Sequence, residues 1–186
     1  MKLIIQRVSE AAVAVEGVCI GAIGAGCMVL VGCRTGDENR DADYLAKRLA
    51  ALRIFHDHEG KMNLSITQTG GSVLLIPQFT LYADTRSGNR PGFQLAGDPE
   101  TARGLFNHFV SSLRGILGDA KVSTGVFGAE MSVALVNEGP VTLELCSDKQ
   151  PGRPSGRVGL VQKAAVVTPV GNEFAGDDFV MRKEVE

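Results

Sequence analysis

The sequence contains no tryptophan, and its aromatic side chains come from eight phenylalanines and two tyrosines. Proteins that bind single-stranded nucleic acid along its length usually stack the bases on a platform of aromatic rings. The formal net charge of −2 also argues against a protein that coats a nucleic-acid backbone, because such proteins are normally basic. Neither feature excludes a protein that grips a single nucleotide end.

Long hydrophobic runs are missing as well. No stretch approaches the roughly 18 apolar residues of a membrane-spanning helix. Residues 1–7 become polar too early for a signal peptide. We therefore expect a cytoplasmic protein with no membrane partner, and 186 residues are enough for one domain with its own core.

Cysteine and histidine are scarce and are not arranged as metal ligands. The four cysteines have no CxxC spacing, which predicts buried free thiols and neither a disulfide framework nor a zinc site. His56 and His58 would share a face of an extended segment, but no third ligand stands nearby, and a solvated loop is the favoured interpretation. We predict no metal and no cofactor.

Strand patterns dominate the remaining sequence. Apolar runs separated by glycines over residues 2–33 predict an antiparallel meander, and residues 72–76 predict a buried strand. Two helices are predicted, one by apolar residues at helical spacing over 42–52 and one between Asp98 and Gly118, which has Pro99 in its first turn. Residues 133–145 predict a hairpin that turns at 137–140. The predicted fold class is a strand-rich α/β domain.

The character of the chain changes after Ser147. Residues 151–156 are rich in Pro, Gly and Ser, and residues 157–186 hold only weak apolar patches. We therefore predict a domain over residues 1–147 and a C-terminal extension over 148–186 whose role is unknown.

Conventional catalytic motifs are absent. The chain has no G-x-S-x-G elbow, no HExxH and no P-loop. The best side-chain candidate is Thr80, predicted at the end of the buried strand with Gln78 on the same face. A threonine hydroxyl needs an activating base, and none is adjacent, so Thr80 is as well explained by hydrogen bonding or by structure as by nucleophilic attack. The amide of Gln78 is suited to bind a carbonyl oxygen or a ribose hydroxyl.

Seven short motifs occur in a fixed order along residues 1–147. They are Gln6-Arg7-Val8, Arg53-Ile54-Phe55, Gly60-Lys61-Met62-Asn63, Gln78-Phe79-Thr80-Leu81, Arg90-Pro91-x-Phe93, Phe127-Gly128-Ala129-x-Met131 and Asn137-x-Gly139-Pro140-Val141-Thr142. Together they resemble the D-aminoacyl-tRNA deacylases of the DTD type. The resemblance implies a single domain with mostly antiparallel, barrel-like sheets and two main helices.

The same resemblance implies an activity and its partners. Members of the family are homodimeric hydrolases that remove D-amino acids, and also glycine, from the 3′ CCA end of mischarged tRNA without a cofactor. The 2′-hydroxyl of the terminal adenosine is thought to assist the hydrolysis. Carried over by motif position, the catalytic pair is Gln78 and Thr80. The implied substrate-binding residues are Pro77, Phe79, Phe127, Ala129 and Met131.

Chirality is implied to be checked by backbone rather than by a side chain. In the family a Gly-Pro pair with a cis peptide bond enters the partner subunit's pocket and excludes L-amino acids. The corresponding residues are Gly139 and Pro140, supported by Arg7 and Asn137. An X-Pro cis bond is found in only about 5–6% of cases in folded proteins, which favours a dedicated role.

Two residues depart from the family pattern: Pro77, and Gly92, where members often have serine. Typical members have serine where this chain has Pro77, and proline supplies neither a hydroxyl nor an N–H. Pro77 therefore favours a more permissive deacylase as one alternative to a strict enzyme. A non-catalytic module that binds the tRNA 3′ end and a general esterase with Thr80 as nucleophile are two further alternatives.

Overall fold

The computed structural model describes residues 1–147 and a strand at residues 158–160. The strands are β1 (Lys2–Val15), β2 (Val18–Ile23), β3 (Gly26–Gly32), β4 (Arg53–His56), β5 (Met62–Ser65), β6 (Ser72–Pro77), β7 (Val122–Thr124), β8 (Ser132–Cys146) and β9 (Val158–Leu160). The helices are α1 (Asn39–Ala50), α2 (Ile66–Thr69) and α3 (Pro99–Leu117), with short 3-10 turns at Phe79–Tyr82 and Asp119–Lys121.

Seven strands form one sheet, in the order β7-β6-β3-β1-β8-β9 with β2 also paired to β1. The β3–β6 and β6–β7 pairs are parallel, and the other pairs are antiparallel. The sheet curls round on itself and brings β7 close to β2. The hydroxyl of Ser123 in β7 donates a hydrogen bond to the carbonyl oxygen of Ala22 in β2 at 3.3 Å. The predicted fold class, with its barrel-like sheet and two main helices, is confirmed; α2 is a single additional turn.

Side chains on the two faces of the strands belong to two separate apolar cores. On β6, Val73 and Leu75 face the helices, whereas Leu74 and Ile76 face the inside of the curled sheet. Successive side chains of a strand point to opposite faces, so a strand with apolar residues on both faces, such as β6, can contribute to both cores.

The helix α3 has the start and stop signals expected from the sequence. The Asp98 carboxylate accepts a hydrogen bond from the backbone N–H of Thr101 at 3.0 Å, and Pro99 follows as the first residue of α3. Gly118 ends that helix by donating its N–H to the Arg114 carbonyl. The apolar stripes of α1 and α3 pack on each other and on the helix-facing core. The prediction of α3 between Asp98 and Gly118 is confirmed.

The hairpin predicted over residues 133–145 is wrong. β8 is one strand from Ser132 to Cys146, and both of its halves pair antiparallel with β1. Because β1 is 14 residues long, it pairs with residues on both sides of the Gly-Pro pair. Residues 138–141 are therefore accommodated as a bulge that lies opposite Arg7.

A second irregularity lies on β1 itself, between Val8 and Glu10, where β1 carries one residue more than β8. Leu3 and Ile5 belong to the helix-facing core, but Ala11 and Val13, also at odd positions, belong to the inner core. One extra residue moves all following side chains to the other face of a sheet. The bulge thus lets a single strand contribute to both cores.

The four cysteines are free, but they are not all buried. Cys27 and Cys33 are buried, Cys146 is partly buried and Cys19 is exposed. The prediction of buried thiols therefore fails for Cys19, which lies on β2, where the outward positions face solvent.

Within residues 1–147 and 158–160, no helix is both long and apolar enough to cross a membrane. The predicted extension 148–186 lies outside the described residues except for β9, which pairs with residues 143–145 of β8.

Candidate functional site

A cavity of about 710 Å³ opens where the parallel strands β6 and β7 end. In sheets with parallel strands, ligands commonly bind at the carboxyl ends of those strands. The volume lies within the range of small-molecule sites, about 300–1,000 Å³. The lining residues come from the end of β6, the loop before α3, the first turns of α3, the β7–β8 loop and the start of β8: Ile76, Pro77, Gln78, Phe79, Phe93, Ala96, Gly97, Asp98, Pro99, Ala102, Phe127, Gly128, Ala129, Met131 and Val133.

One wall is formed where β6 ends in a tight turn. Pro77 is the last residue of β6, and Gln78 then donates its backbone N–H to the carbonyl oxygen of Val31 at 2.8 Å. The 3-10 turn that follows packs closely on β3 at Gly32, where a Cβ added to the glycine would lie 2.9 Å from the Cβ of Leu81. A larger residue at position 32 would push this turn away, so glycine there positions the wall.

Gln78 and Thr80 are brought together, but not on a strand. Thr80 lies in the 3-10 turn and is exposed, whereas Gln78 precedes the turn and lines the cavity. The side-chain amide of Gln78 donates a hydrogen bond to the hydroxyl of Thr80. The expectation that Thr80 ends the buried strand is therefore wrong: the strand ends at Pro77, and the chain then turns back across β3.

The opposite wall is formed by the β7–β8 loop. Gly125 donates its N–H to the Leu75 carbonyl at 2.8 Å, which ties the loop to β6. Phe127 and Ala129 then line the cavity, and Met131 lies close to Gly125. The five residues assigned to substrate binding by resemblance thus lie in one cavity, although they are separated by about 50 positions in the sequence.

Three phenylalanines surround the cavity. The rings of Phe79 and Phe93 lie 4.6 Å apart between centroids, and the two residues are 47% and 38% exposed. The third, Phe127, carries the guanidinium of Arg103 over its ring at 5.3 Å. The two rings are tilted by 35° to each other, and their exposed parts provide an apolar surface suited to an adenine or a side chain. In the sequence Phe93 stands out only as part of a motif, because its loop carries no secondary-structure signal.

Asp98 is the charged side chain among the residues that line this cavity. Its carboxylate caps α3, and the hydrogen bonds from the backbone and side chain of Thr101 hold its pKa below the ordinary value of 3.8. The wall at this point is therefore anionic at neutral pH. In the sequence Asp98 indicates a helix start and nothing more; its position in the cavity follows from the way the loop before α3 folds over β6.

The Gly139-Pro140 pair lies in the β8 bulge and is exposed. The described residues contain no cis peptide bond, so the expected cis geometry of Gly139–Pro140 is wrong and the bond is trans. Gly139 takes the positive φ of 115° instead, a value that L side chains rarely adopt. The turn of the chain at the bulge is thus made by the glycine φ rather than by the proline bond. None of the described lining residues of the cavity comes from the bulge.

Arg7 holds the bulge from below. The residue is only 2% exposed, its Nε donates to the Glu138 carbonyl at 3.2 Å, and its Nη1 donates to the Ile54 carbonyl at 2.6 Å. The guanidinium also lies close to Gly139, where a Cβ added to the glycine would be 2.6 Å from Nη2. The bulge is therefore tied to β4 through one buried side chain.

Asn137 is the last residue before the bulge. Its side-chain Nδ2 donates to the Thr142 hydroxyl at 3.2 Å, which closes the base of the bulge from 137 to 142. Its Oδ1 is buried without a hydrogen-bond partner within the described chain. A buried carbonyl-type oxygen of this kind is a ready acceptor for a group brought by a ligand or another subunit.

The histidines lie away from the cavity. His56 ends β4, His58 is in the exposed loop after it, and His108 of α3 contacts Asp43 of α1 at 2.8 Å. In the part of the chain that the structure describes, no three His, Cys, Asp or Glu side chains cluster closely enough to hold a metal ion.

Comparison with known families gives a match over almost the whole described domain. The family described as D-Tyr-tRNA(Tyr) deacylase matches residues 4–146. A protein from Marinobacter nauticus named D-aminoacyl-tRNA deacylase is 49% identical over 150 residues, covering 81% of this chain and 96% of that protein. One of the same name from Thermomicrobium roseum is 52% identical over 147 residues, covering 79% and 94%.

Solved structures share the fold. A "c-Myc DNA Unwinding Element Binding Protein" superposes with a TM-score of 0.77 at 38% identity, covering 80% of this chain and all of that chain. A second structure, described as a "probable eukaryotic D-amino acid tRNA deacylase", gives a TM-score of 0.66. At 18% identity, with 77% of this chain and 97% of that chain covered, the second likeness is one of fold alone.

Proposed function

The chain belongs to the D-Tyr-tRNA(Tyr) deacylase family, and on that premise we propose that it hydrolyses the ester bond of D-aminoacyl-tRNA and releases free tRNA and the D-amino acid. The observation that carries the proposal is the cavity at the end of β6. It collects Gln78 and the Phe127–Met131 segment, two parts of the chain that the family's motifs single out, into one site.

The residues of the cavity suit a reaction in which the protein positions the substrate and a hydroxyl group of the substrate itself assists the hydrolysis. Its walls are apolar except for Gln78 and Asp98, and no lysine, histidine or cysteine is among the described residues that line it. We assign to the amide of Gln78, which donates a hydrogen bond to the Thr80 hydroxyl, the binding of the ester carbonyl or the ribose. Water attacks the carbonyl carbon, the bond to the 3′-oxygen breaks, and the terminal 2′-hydroxyl relays the proton to that leaving oxygen.

A direct test uses D-Tyr-tRNA and its 2′-deoxy-terminated counterpart. We expect the purified protein to release D-tyrosine from the first, and to lose at least tenfold in rate on the second. Thr80→Ala should cost less than the loss of the 2′-hydroxyl, since Thr80 only holds Gln78. If Thr80→Ala abolished hydrolysis while the 2′-deoxy ester was cleaved normally, Thr80 would be the nucleophile and the protein a general esterase. Binding of uncharged tRNA 3′ ends without turnover would instead identify a binding module.

The Gly139-Pro140 bulge is proposed as the chirality check. It is exposed, none of its residues lines the cavity of its own chain, and Arg7 donates a hydrogen bond to it, features suited to a segment that enters the pocket of a second copy. A backbone element can reject one Cα configuration whatever the side chain, because every residue shares the same backbone. The proposal requires a homodimer in solution.

Mixed dimers test the cross-subunit arrangement. A Gln78→Ala subunit lacks a working pocket, and a variant with residues 138–140 shortened lacks the bulge. Each homodimer should fail, the first in rate and the second in rejecting L-Tyr-tRNA. In the mixed dimer, one site combines the intact pocket with the intact bulge, so half of the sites should regain normal rate and selectivity. If a verified mixed dimer did not regain normal rate and selectivity, the bulge of one subunit would not act in the pocket of the other.

A second candidate is a more permissive deacylase, favoured by Pro77. This residue lines the cavity at the end of β6 and offers neither a hydroxyl nor an N–H. The two versions differ in their treatment of L-Tyr-tRNA and of glycyl-tRNA. Pro77→Ser should sharpen rejection of the L-ester in a permissive enzyme and leave it unchanged in a strict one. We place the reaction in the cytoplasm, where charged tRNA is used.

A further inference from the structure

Gly125 is a buried glycine beside the cavity, and a positive φ does not explain it. It follows β7 as the first residue of the β7–β8 loop, and its φ lies outside the left-handed region that favours glycine. Its N–H is donated to the Leu75 carbonyl, a hydrogen bond that any residue except proline can make. The reason for a glycine at this position therefore lies in the space around it.

That space is filled by side chains that line the cavity. A Cβ added to Gly125 would lie 2.6 Å from Sδ of Met131. It would lie 3.3 Å from Cδ1 of Ile76 and 3.6 Å from Cδ of Pro77. Ordinary contacts between carbon atoms are about 3.5–4.0 Å long, so the overlap with Met131 is by far the most severe. The thioether of Met131 thus rests on the backbone of Gly125, where a side chain at 125 would be.

An added methyl group would displace Met131 rather than its neighbours. Ile76 is 1% exposed and belongs to the inner core, where close packing leaves little room to move. Met131 is only partly buried, and methionine has three rotatable bonds and a thioether that adapts to irregular gaps. The open space beside Met131 is the cavity that it lines, so the displaced thioether would enter the cavity.

We infer that Gly125 is a positioning residue of the site. By having no side chain, it lets Met131 lie low in the wall and keeps open the space that the aminoacylated 3′ end of tRNA occupies. The identity of this occupant rests on the proposed deacylase function, whereas the placement of Met131 does not. Gly125 lies outside the seven family motifs, and its role follows from the geometry alone.

The variant Gly125→Ala with D-Tyr-tRNA as substrate tests this role. We expect KM to rise about 10- to 200-fold, the range that one methylene group is worth in an apolar pocket. The kcat should be largely unchanged, because the methyl group reduces the space for the substrate without touching the reacting groups. The urea midpoint should stay near the wild-type value, since a flexible side chain moves aside. A crystal structure of the variant should show the Met131 thioether turned into the cavity.

A second substitution and a matched control make the test specific. Met131→Ala removes the side chain that an alanine at 125 would displace, so the double variant should have a lower KM than Gly125→Ala alone. Independent substitutions would instead multiply their effects on KM. Gly24→Ala adds the same methyl group at a glycine that also lacks a positive φ and has nothing within 4 Å of the added Cβ, so its KM should equal that of the wild type.

The outcomes separate this inference from the proposed function. If the wild type cleaves D-Tyr-tRNA and Gly125→Ala has an unchanged KM, the inference is refuted and the deacylase function stands. An equal rise of KM in Gly24→Ala, independent effects in the double variant, or failure of Gly125→Ala to fold would also refute it. If the wild type does not cleave D-Tyr-tRNA, the proposed function fails. The crystal structure then decides the inference, which is refuted if Met131 keeps its wild-type position.

Discussion

Gly139→Ala should be unusually destabilising, because two costs coincide at this position. The first is conformational: a non-glycine residue at φ 115° costs about 1–3 kcal/mol. The second is steric: the new Cβ would lie 2.6 Å from Nη2 of Arg7. Side-chain ends can often move aside, but this guanidinium is 2% exposed and bonded to two carbonyls.

The steric cost can be estimated from those hydrogen bonds. Displacing the guanidinium breaks at least one hydrogen bond from a charged donor, worth about 1.5–3 kcal/mol. The sum for Gly139→Ala is about 2.5–6 kcal/mol, a large part of the 5–15 kcal/mol typical of a domain. Urea unfolding followed by circular dichroism measures it; tryptophan fluorescence is no option, because the chain has no tryptophan.

Two further variants separate the conformational cost from the steric cost. Gly60→Ala introduces the same methyl at φ 75° into an exposed turn with open space around it, so only the conformational cost of about 1–2 kcal/mol applies. Arg7→Met removes the obstructing group, and Gly139→Ala should then cost about 1.5–3 kcal/mol less than in the wild type. If Gly139→Ala costs no more than Gly60→Ala, or costs the same with and without Arg7, then Arg7 does not confine the glycine of the bulge.

Four further outcomes are expected. Burial raises the pKa of both Cys27 and Cys33 to about 12, so at pH 8 a thiol reagent should label the exposed Cys19 quickly and those two only on unfolding. In the unfolded chain these thiols ionise near pH 9, whereas in the folded protein they stay protonated to about pH 12. The free energy of unfolding should therefore be unaffected by them below pH 9 and fall between pH 9 and 12, which a decreasing urea midpoint would show. Asp98→Ala should lower stability by about 1 kcal/mol, and Asp98→Asn should not, because only the first removes the cap of α3. Leu75→Ala should cost about 2–5 kcal/mol, since this side chain is fully buried between the sheet and the helices, whereas Val18→Ala on the 64% exposed position of β2 should change stability by less than about 0.5 kcal/mol.

Much of the fold can be read from local signals. The cap at Asp98, the proline after it and the glycine at 118 define α3 without reference to the rest of the chain, because each acts on backbone groups within one turn. The buried strand at 72–76 is equally local, since a short apolar run bounded by turn residues admits few other structures. The motif pattern also points to the family and contains about half of the lining residues.

The cavity depends on contacts that no local signal contains. Phe93 and Asp98 line it because the loop before α3 folds over the end of β6. Thr80 leaves the strand because β3 offers a carbonyl to Gln78 and a glycine to the turn. The carbonyl belongs to Val31 and the glycine is Gly32. Each is more than 30 residues away in the sequence from the residue that it positions, Gln78 and Leu81 respectively.

The Gly139-Pro140 segment shows most clearly which features follow from the local sequence and which depend on tertiary contacts. Its composition is that of a tight turn, and the neighbouring residues alone predict a hairpin. Whether such a segment reverses the chain or bulges from a continuing strand depends on what lies opposite. Here β1 pairs with residues on both sides of it, and Arg7, 132 positions away from Gly139, fills the space beneath. The sequence by itself determined that the backbone is unusual at this point; the pairing with β1 decided its shape, because backbone hydrogen bonds to a long neighbouring strand outweigh a local preference to turn.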